Sequence, residues 1–366
     1  MSMAHAFTRL QKAYRFLQDD LSRQVFKARL IYDITRSFDD VVHLAGTSGN
    51  YDEQTLAHAK GFSKRCGQIV EAGRKIIFYG AGTRGLEYLQ RFSEDLEHVE
   101  IYGFCDRSEE KQKTGFHGKP VLSHQKLMGE HKDDYVLITT PLYEQEIRAA
   151  LLRDGFPADH ILDFLEDHLA GVPQQYFEFP LPKGGAFIDA GCFDCGTDLR
   201  FIEITGGLYD KIIAFEPDRL NMINCQKIAG ENSIKNIELI PAGLWDKEEV
   251  LYFSECGQID SHLDSQNGVP TRMVALDQII KQERVSFIKM DVEGAELKAL
   301  HGARRTIIEN KPLLAICVYH KPEDFVEIAE FIKSLVPEYK LYLRHYGSLT
   351  YETVLYAILP EMGESA

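Results

Sequence analysis

The chain has 366 residues, 44% of them apolar and 27% charged, with only 13 prolines, which suits two compact domains plus an appendage and excludes a largely disordered protein. A formal net charge of −15 repels nucleic-acid phosphates, so a small or sugar-like substrate is expected and a nucleic-acid partner is not. No apolar run is long enough to span a bilayer and no basic-then-apolar leader is present, so the reading is a cytoplasmic protein without a membrane span.

Phe7, Leu10, Tyr14, Leu17 and Leu21 recur at helical spacing, and residues 1–72 read as a helical appendage interrupted by a loop at Gly46–Asn50. Such an element suits oligomerisation or docking, with a homo-oligomer as one outcome. From residue 73 to about 170 a strand-turn-helix grammar begins. Lys75–Tyr79 is a strand, a helix with Leu86, Leu89, Phe92 and Leu96 on one face follows, and further strands lie at Val99–Phe104 and Tyr135–Thr139. Gly80, Gly82 and Gly85 fit G-x-G-x-x-G at the first strand-to-helix turn, with Thr83 and Arg84 inside the motif and Asp106 closing the next strand.

Residues 171–183, rich in Pro and Gln, read as a linker, after which the grammar restarts over 184–360. Strands are expected at Ala186–Ala190, Lys211–Phe215, Ile237–Pro241, Ser286–Met290 and Leu313–Val318. A final pair at Lys340–Arg344 and Thr353–Leu359 lacks a helical crossover and should form an antiparallel hairpin. The fold class is therefore α/β, with two Rossmann-like domains: a small parallel sheet, then a seven-stranded sheet.

In the second domain Phe187 to Thr197 ends a buried strand and opens a helix. Its glycines, Gly191 and Gly196, permit close approach of a ligand, and the amides at the helix start suit a carboxylate such as a methionine tail. Glu216, followed by Pro217, ends the next strand 27 positions after Asp189 and suits two ribose hydroxyls. Ala242 and Gly243 form a small-residue loop suited to lie against adenine. Cys192 and Cys195 have zinc-like spacing but no second pair, so no metal is expected there, and the seven scattered cysteines suit a reducing compartment. This loop with its neighbours makes Asp189, Gly191, Cys192, Gly196, Thr197, Glu216, Pro217, Ala242, Gly243 and Asp291 the candidate cofactor-binding residues.

The densest signal is Phe287 to Leu297, which contains Asp291-Val292-Glu293-Gly294-Ala295-Glu296, continued by Gly302-Ala303 and Lys311-Pro312 and preceded by Val274-Ala275-Leu276-Asp277. Over about residues 184–360 these motifs, in this order, resemble the FkbM-type methyltransferases. The cysteines at 192 and 195 depart from the small residues often found there in that family. The resemblance implies a Rossmann-like fold, S-adenosyl-L-methionine as cofactor and methyl transfer to a sugar hydroxyl, the sugar being nucleotide-linked, within a surface glycan or on a glycosylated metabolite.

Methyl transfer to oxygen needs a group to take the hydroxyl proton, and Asp291, Glu293, His320 and His262 are the candidates. The same acidic and imidazole groups suit a divalent cation equally, and the sequence does not decide between the two. Residues 73–170 also resemble the small Rossmann-like domain that precedes some sugar-modifying acyltransferases and methyltransferases. That resemblance implies a nucleotide-sugar held by Gly80, Gly82, Thr83, Arg84, Gly85 and Asp106. A domain without a ligand and an NAD site stay open beside it. Two further alternatives for the whole chain are an NAD-linked sugar-modifying enzyme and a non-enzymatic nucleotide-sugar-binding protein.

Overall fold

The computed structural model describes residues 3–51, 53, 56, 62–86, 88, 89, 101–140, 143–162, 174–253, 269–347 and 351–360. These fall into two compact units, Met1–Phe26 with Gly171–Tyr346 and Tyr351–Ala366, and Lys27–Ala170 with Gly347–Thr350.

The second of these units is built on a five-stranded sheet: β1 (Ile76–Tyr79), β2 (Ile101–Cys105), β3 (Val121–Leu122), β4 (Tyr135–Ile138) and β5 (Ile161–Leu162). The order is β3-β2-β1-β4-β5 with every pair parallel. Ile76, Ile77 and Phe78 are wholly buried, as expected for a central strand covered on both faces. β3 and β5 are two residues each, too short to leave a periodic trace, so only three of the five strands are legible in the sequence. The helices Glu109–Thr114 and His124–Glu130 start at Ser108 and Ser123, whose hydroxyls accept from the backbone N–H groups of Lys111 and Lys126. Of the expected helix after β1, Phe92 and Leu96 lie outside the described residues.

The other unit holds β6 (Ala186–Ala190), β7 (Lys211–Phe215), β8 (Ile237–Ile240), β9 (Gly243–Leu244), β10 (Glu249–Phe253), β11 (Val269–Val274), β12 (Val285–Met290), β13 (Leu313–Cys317), β14 (Lys340–His345) and β15 (Thr353–Ile358). Seven of them form one sheet in the order β14-β15-β13-β12-β6-β7-β8. β15 runs antiparallel to both neighbours, which makes the last two strands a hairpin as their spacing predicts, and the other pairs are parallel. β9, β10 and β11 form a separate three-stranded sheet that the sequence reading lacks. Under the main sheet Phe187 stacks between Phe201 and Phe287, with ring centroids 4.4 and 4.8 Å away.

Two boundaries differ from the sequence reading. The first helix, Met3–Phe16, packs within the same unit as the seven-stranded sheet: Arg9 pairs with Glu327 and Glu330, Gln18 N–H donates to the Leu341 carbonyl, and Phe26 packs edge-on against Phe325. The change of unit falls after Phe26, inside the helix Asp20–Thr35, so residues 1–72 are not one appendage. The helical stripe misleads because it crosses a break at residues 17–19; Leu17 is buried while Phe7 is 60% exposed. The supposed linker also belongs to the core. Tyr176 is buried, and Phe177, Phe179 and Leu181 pack against the cluster around Phe187.

Candidate functional site

Strand order reverses between β6 and β12, where chains leaving adjacent strands turn to opposite faces and open a crevice at the carboxyl edge. Gly191 and Asp291 sit at that point. Gly191 has φ +76°, and a Cβ on it would lie 1.8 Å from the Asp291 carbonyl oxygen, so no other residue fits the turn. The crevice opens into a cavity of about 240 Å³.

Of the expected cofactor residues, Gly191, Cys192, Thr197, Glu216, Pro217, Gly243 and Asp291 line this cavity. Glu216 is 5% exposed; its two oxygens accept from the N–H groups of Phe193 (3.0 Å) and Asp218 (2.9 Å), and burial pushes its carboxyl up to about 7. Each carboxylate oxygen keeps a further lone pair for a ligand hydroxyl. Asp189, Gly196 and Ala242 do not line the cavity. The Gly196 N–H, expected to receive a ligand carboxylate, is taken by the Asp194 carboxylate at 2.8 Å. Ala242 is wholly buried behind the wall.

Asp189 lies one layer down, wholly buried, 3.0 Å from the Lys289 ammonium. Burial raises its carboxyl and Lys289 opposes that, leaving it at about 6. The two residues face each other across the β6–β12 register. Lys289 also donates to the Gly191 carbonyl (2.6 Å), and its own pKa is held up by Asp189 and Asp291 against burial. Asp189 therefore positions Lys289, which pins the glycine turn.

Asp291 and Glu293, which also line the cavity, belong to an acidic cage. Asp291 accepts from the Tyr176 and Tyr319 hydroxyls, both at 2.9 Å. Burial opposes its ionisation, but His320, Lys289 and the two tyrosines outweigh this and hold its carboxyl below the usual range. Glu293, at φ +53°, turns its carboxylate to 3.3 Å from His320 Nε2, and burial raises its pKa. The Glu296 carboxylate, wholly buried, lies 2.9 Å from His320 Nδ1 and accepts from the Val292 N–H. Burial alone would lower the His320 pKa, but Glu296, Glu293 and Asp291 push it up to about 11. The three carboxylates thus favour the protonated form of His320, which weighs against its expected role as a proton acceptor. Asp291, Glu293 and His320 have ligand atoms within 4.8 Å of one another, the arrangement that leaves a cation open at this stage. His262 lies outside the described residues.

Sequence reasoning missed Tyr176, Lys289 and Glu352, all of which line the cavity. Glu352 is pushed up to about 7 by burial and by Asp291. Lys289 had a signal, a lone charge inside an apolar strand. Tyr176 was hidden in the supposed linker.

In the other unit Gly80, Gly82, Thr83, Arg84 and Gly85 gather after β1, with Asp106 after β2. A Cβ on Gly85 would lie 2.3 Å from the Gly80 carbonyl oxygen, which explains the third glycine as close packing. Asp106 accepts from the Ala81 N–H (2.8 Å) and the Ser108 N–H (2.9 Å), Thr139 donates to the Gly80 carbonyl (2.8 Å), and Lys111 to the Ala81 carbonyl. Asp106 thus closes its own loop.

Residues 192–348 match the methyltransferase FkbM domain, and residues 72–162 match the domain described as C2185-like, N-terminal. No curated protein matches the chain. The crystal structure of a methyltransferase FkbM from Methylobacillus flagellatus KT is 19% identical, with a TM-score of 0.52, covering 93% of this chain and 99% of that one. An rRNA methylase from Streptococcus thermophilus (17% identity, TM-score 0.33, covering 52% of this chain and 96% of that one) is similar over about half of the chain. So is a SAM dependent methyltransferase from Aquifex aeolicus (14%, 0.30, 50% and 88%). The match over residues 192–348, which include Glu216, Asp291, Glu293 and His320, gives the chain a methyltransferase FkbM domain around this crevice.

Proposed function

We propose that the unit with the seven-stranded sheet binds S-adenosyl-L-methionine and methylates a sugar hydroxyl. The observation that carries this reading is one cavity lined by the glycine turn at Gly191, by a buried acid, Glu216, and by Asp291 and Glu293 of the cage. The donor set fits the cofactor: Glu216 retains acceptor capacity for ribose hydroxyls, Pro217, Leu244 and Met273 offer apolar walls for a base, and Thr197 lies by the helix start. The cofactor, when bound, supplies an electrophilic methyl group on a sulfonium.

The chain's own residues then bind and orient an acceptor hydroxyl and accept its proton. Glu293 suits the last task because it lines the cavity and its surroundings raise its pKa above the usual carboxylate value. Asp291, pinned by two tyrosines, is a fixed negative wall. His320 acts as a buried cation that holds Asp291, Glu293 and Glu296 together. The imidazolium already supplies the positive charge that three carboxylates need, so a divalent cation is not part of this reading. A sugar is favoured because the polar lining includes the hydroxyl acceptors Asp194, Glu293 and Glu352, and because the family resemblance points the same way. In this reading the acceptor sugar sits in the cavity, and not at the Gly80–Gly85 loop, because the candidate proton acceptor Glu293 lines the cavity.

Calorimetric titration with adenosylhomocysteine tests the cofactor: micromolar binding by the wild type and loss in Glu216→Ala are expected, and no binding by the wild type overturns the reading. A panel of sugars and nucleotide-sugars with labelled methyl donor, with and without chelator, tests the acceptor. Transfer that survives chelation is expected; transfer abolished by it would replace the imidazolium account with a metal.

A further inference from the structure

Beneath the cofactor loop three thiols converge. Cys192 and Cys195 come from the turn after β6 and Cys225 from the helix Arg219–Glu231, and their sulfurs all lie within 4.8 Å of one another. All three residues are buried and none is in a disulfide. The pair that lacked a partner in sequence finds it 30 residues on, in a different element. Spacing along the chain could not reveal this, because the helix returns Cys225 to the turn only after folding.

The Cys192 and Cys225 sulfurs are 3.6 Å apart. Zinc–thiolate bonds of about 2.3 Å in a tetrahedron put the sulfurs about 3.8 Å apart, so the cluster already has nearly that spacing. A second observation points the same way. Asp198 lies one turn after Cys195 on the helix Gly196–Thr205, is wholly buried, and neither carboxylate oxygen has a hydrogen-bond partner among the described residues. Its neighbours include Asp189, Cys195 and Cys225, but its oxygens are not among the ligand atoms that lie within 4.8 Å of one another, so it stands beside the thiol cluster and not within it. A wholly buried carboxylate is costly, and a cation nearby reduces that cost.

We propose that Cys192, Cys195 and Cys225 form a site for a zinc-class, thiophilic divalent cation, with Asp198 beside it as a neighbouring charge. Binding displaces the three thiol protons to solvent and forms three metal–sulfur bonds. Three of the four tetrahedral positions are then protein sulfurs, and a water would complete the set. Its effect is to tie the glycine turn to the helix that follows Glu216, where Phe193 donates to Glu216 and Cys225 contacts the Phe193 carbonyl at 3.1 Å. The site is separate from the acidic cage and does not depend on which substrate is methylated.

The test uses the full chain, produced with zinc supplied and purified under reducing conditions without chelator. About one zinc per chain by elemental analysis is expected, and exchange for Co²⁺ should give the near-ultraviolet thiolate-to-cobalt band, which oxygen and nitrogen ligands of the acidic cage cannot produce. Cys225→Ser should lose this band. Should that variant fail to fold, Asp198→Asn supplies a second reading: it keeps the band and binds the metal at least about tenfold more weakly. Any of three results overturns the site: a folded wild type that takes up neither ion while its three thiols titrate, a Cys192–Cys225 disulfide by mass spectrometry under the same conditions, or a cobalt spectrum without thiolate character.

Discussion

The two Rossmann-like units place a glycine turn at the same point, the carboxyl end of a central parallel strand beside a reversal of strand order, yet they finish it differently. After β1 the polar groups of the turn are satisfied by the chain itself, since Asp106, Thr139 and Lys111 reach Ala81 and Gly80. After β6 the turn is pinned from below by Lys289, and above it Glu216, Glu293 and Glu352 are left facing a cavity with pKa values raised by burial. Glycine spacing therefore reports only a backbone shape. Function is carried by the carboxylates that line the cavity with raised pKa values.

The strongest way to break this contrast is at the glycines. Gly191→Ala places a Cβ against the Asp291 carbonyl at a φ of +76°, and a loss of about 4 kcal/mol or more in denaturant unfolding is expected. Gly82→Ala meets no atom within 4 Å and should stay within about 0.5 kcal/mol. Equal effects at the two positions would mean that the turns are equivalent after all. Next in size, Lys289→Met leaves Asp189 buried and unpaired, which costs about 3 kcal/mol, whereas the double variant with Asp189→Asn should recover much of it. Recovery would show that the pair positions the turn without contributing net stability.

How far the sequence reached follows the same line. The long strands β6, β7, β12, β13 and β15 of the seven-stranded sheet were legible because they are largely runs of buried apolar residues. β3, β5 and β9 were not, since two residues carry no period. Asp291, Glu293 and Glu216 could be placed at strand ends from their spacing, but what burial does to each depends on neighbours from distant segments. Tyr176 arrives from a Pro-rich stretch, His320 meets three carboxylates that only the fold assembles, and Asp189 looks like a ligand contact until Lys289 is seen opposite it. Sequence order places a residue on an element; it does not show which side chains that element turns toward it.

Smaller effects sharpen the chemistry of the cage. Glu293→Gln should lower the methyl-transfer rate about 100-fold, near 2.7 kcal/mol in the barrier, with adenosylhomocysteine affinity within about threefold of wild type. An unchanged rate would remove Glu293 as the proton acceptor. For His320 the folded state holds its proton up to about 11, whereas the unfolded imidazole releases it near 6.5. The folded chain binds more protons between those values, so the stabilisation is complete below pH 6.5 and declines as the pH rises toward 11. The difference in unfolding free energy between wild type and His320→Gln should therefore shrink steadily from pH 6 to pH 10. A difference that stays constant would mean that His320 is neutral in the cage.

The smallest expected effect lies in the other unit and decides what its closed loop is for. Asp106→Ala removes the acceptor of the Ala81 and Ser108 N–H groups. If the carboxylate serves only to close the turn, the loss is about 1 kcal/mol in stability, because water reaches the freed amides, and methyl-transfer kinetics stay as in the wild type. If the turn instead receives part of the acceptor, KM for a nucleotide-sugar rises in this variant while KM for the methyl donor does not. That second outcome would move substrate selection from the cavity to the Gly80–Gly85 loop.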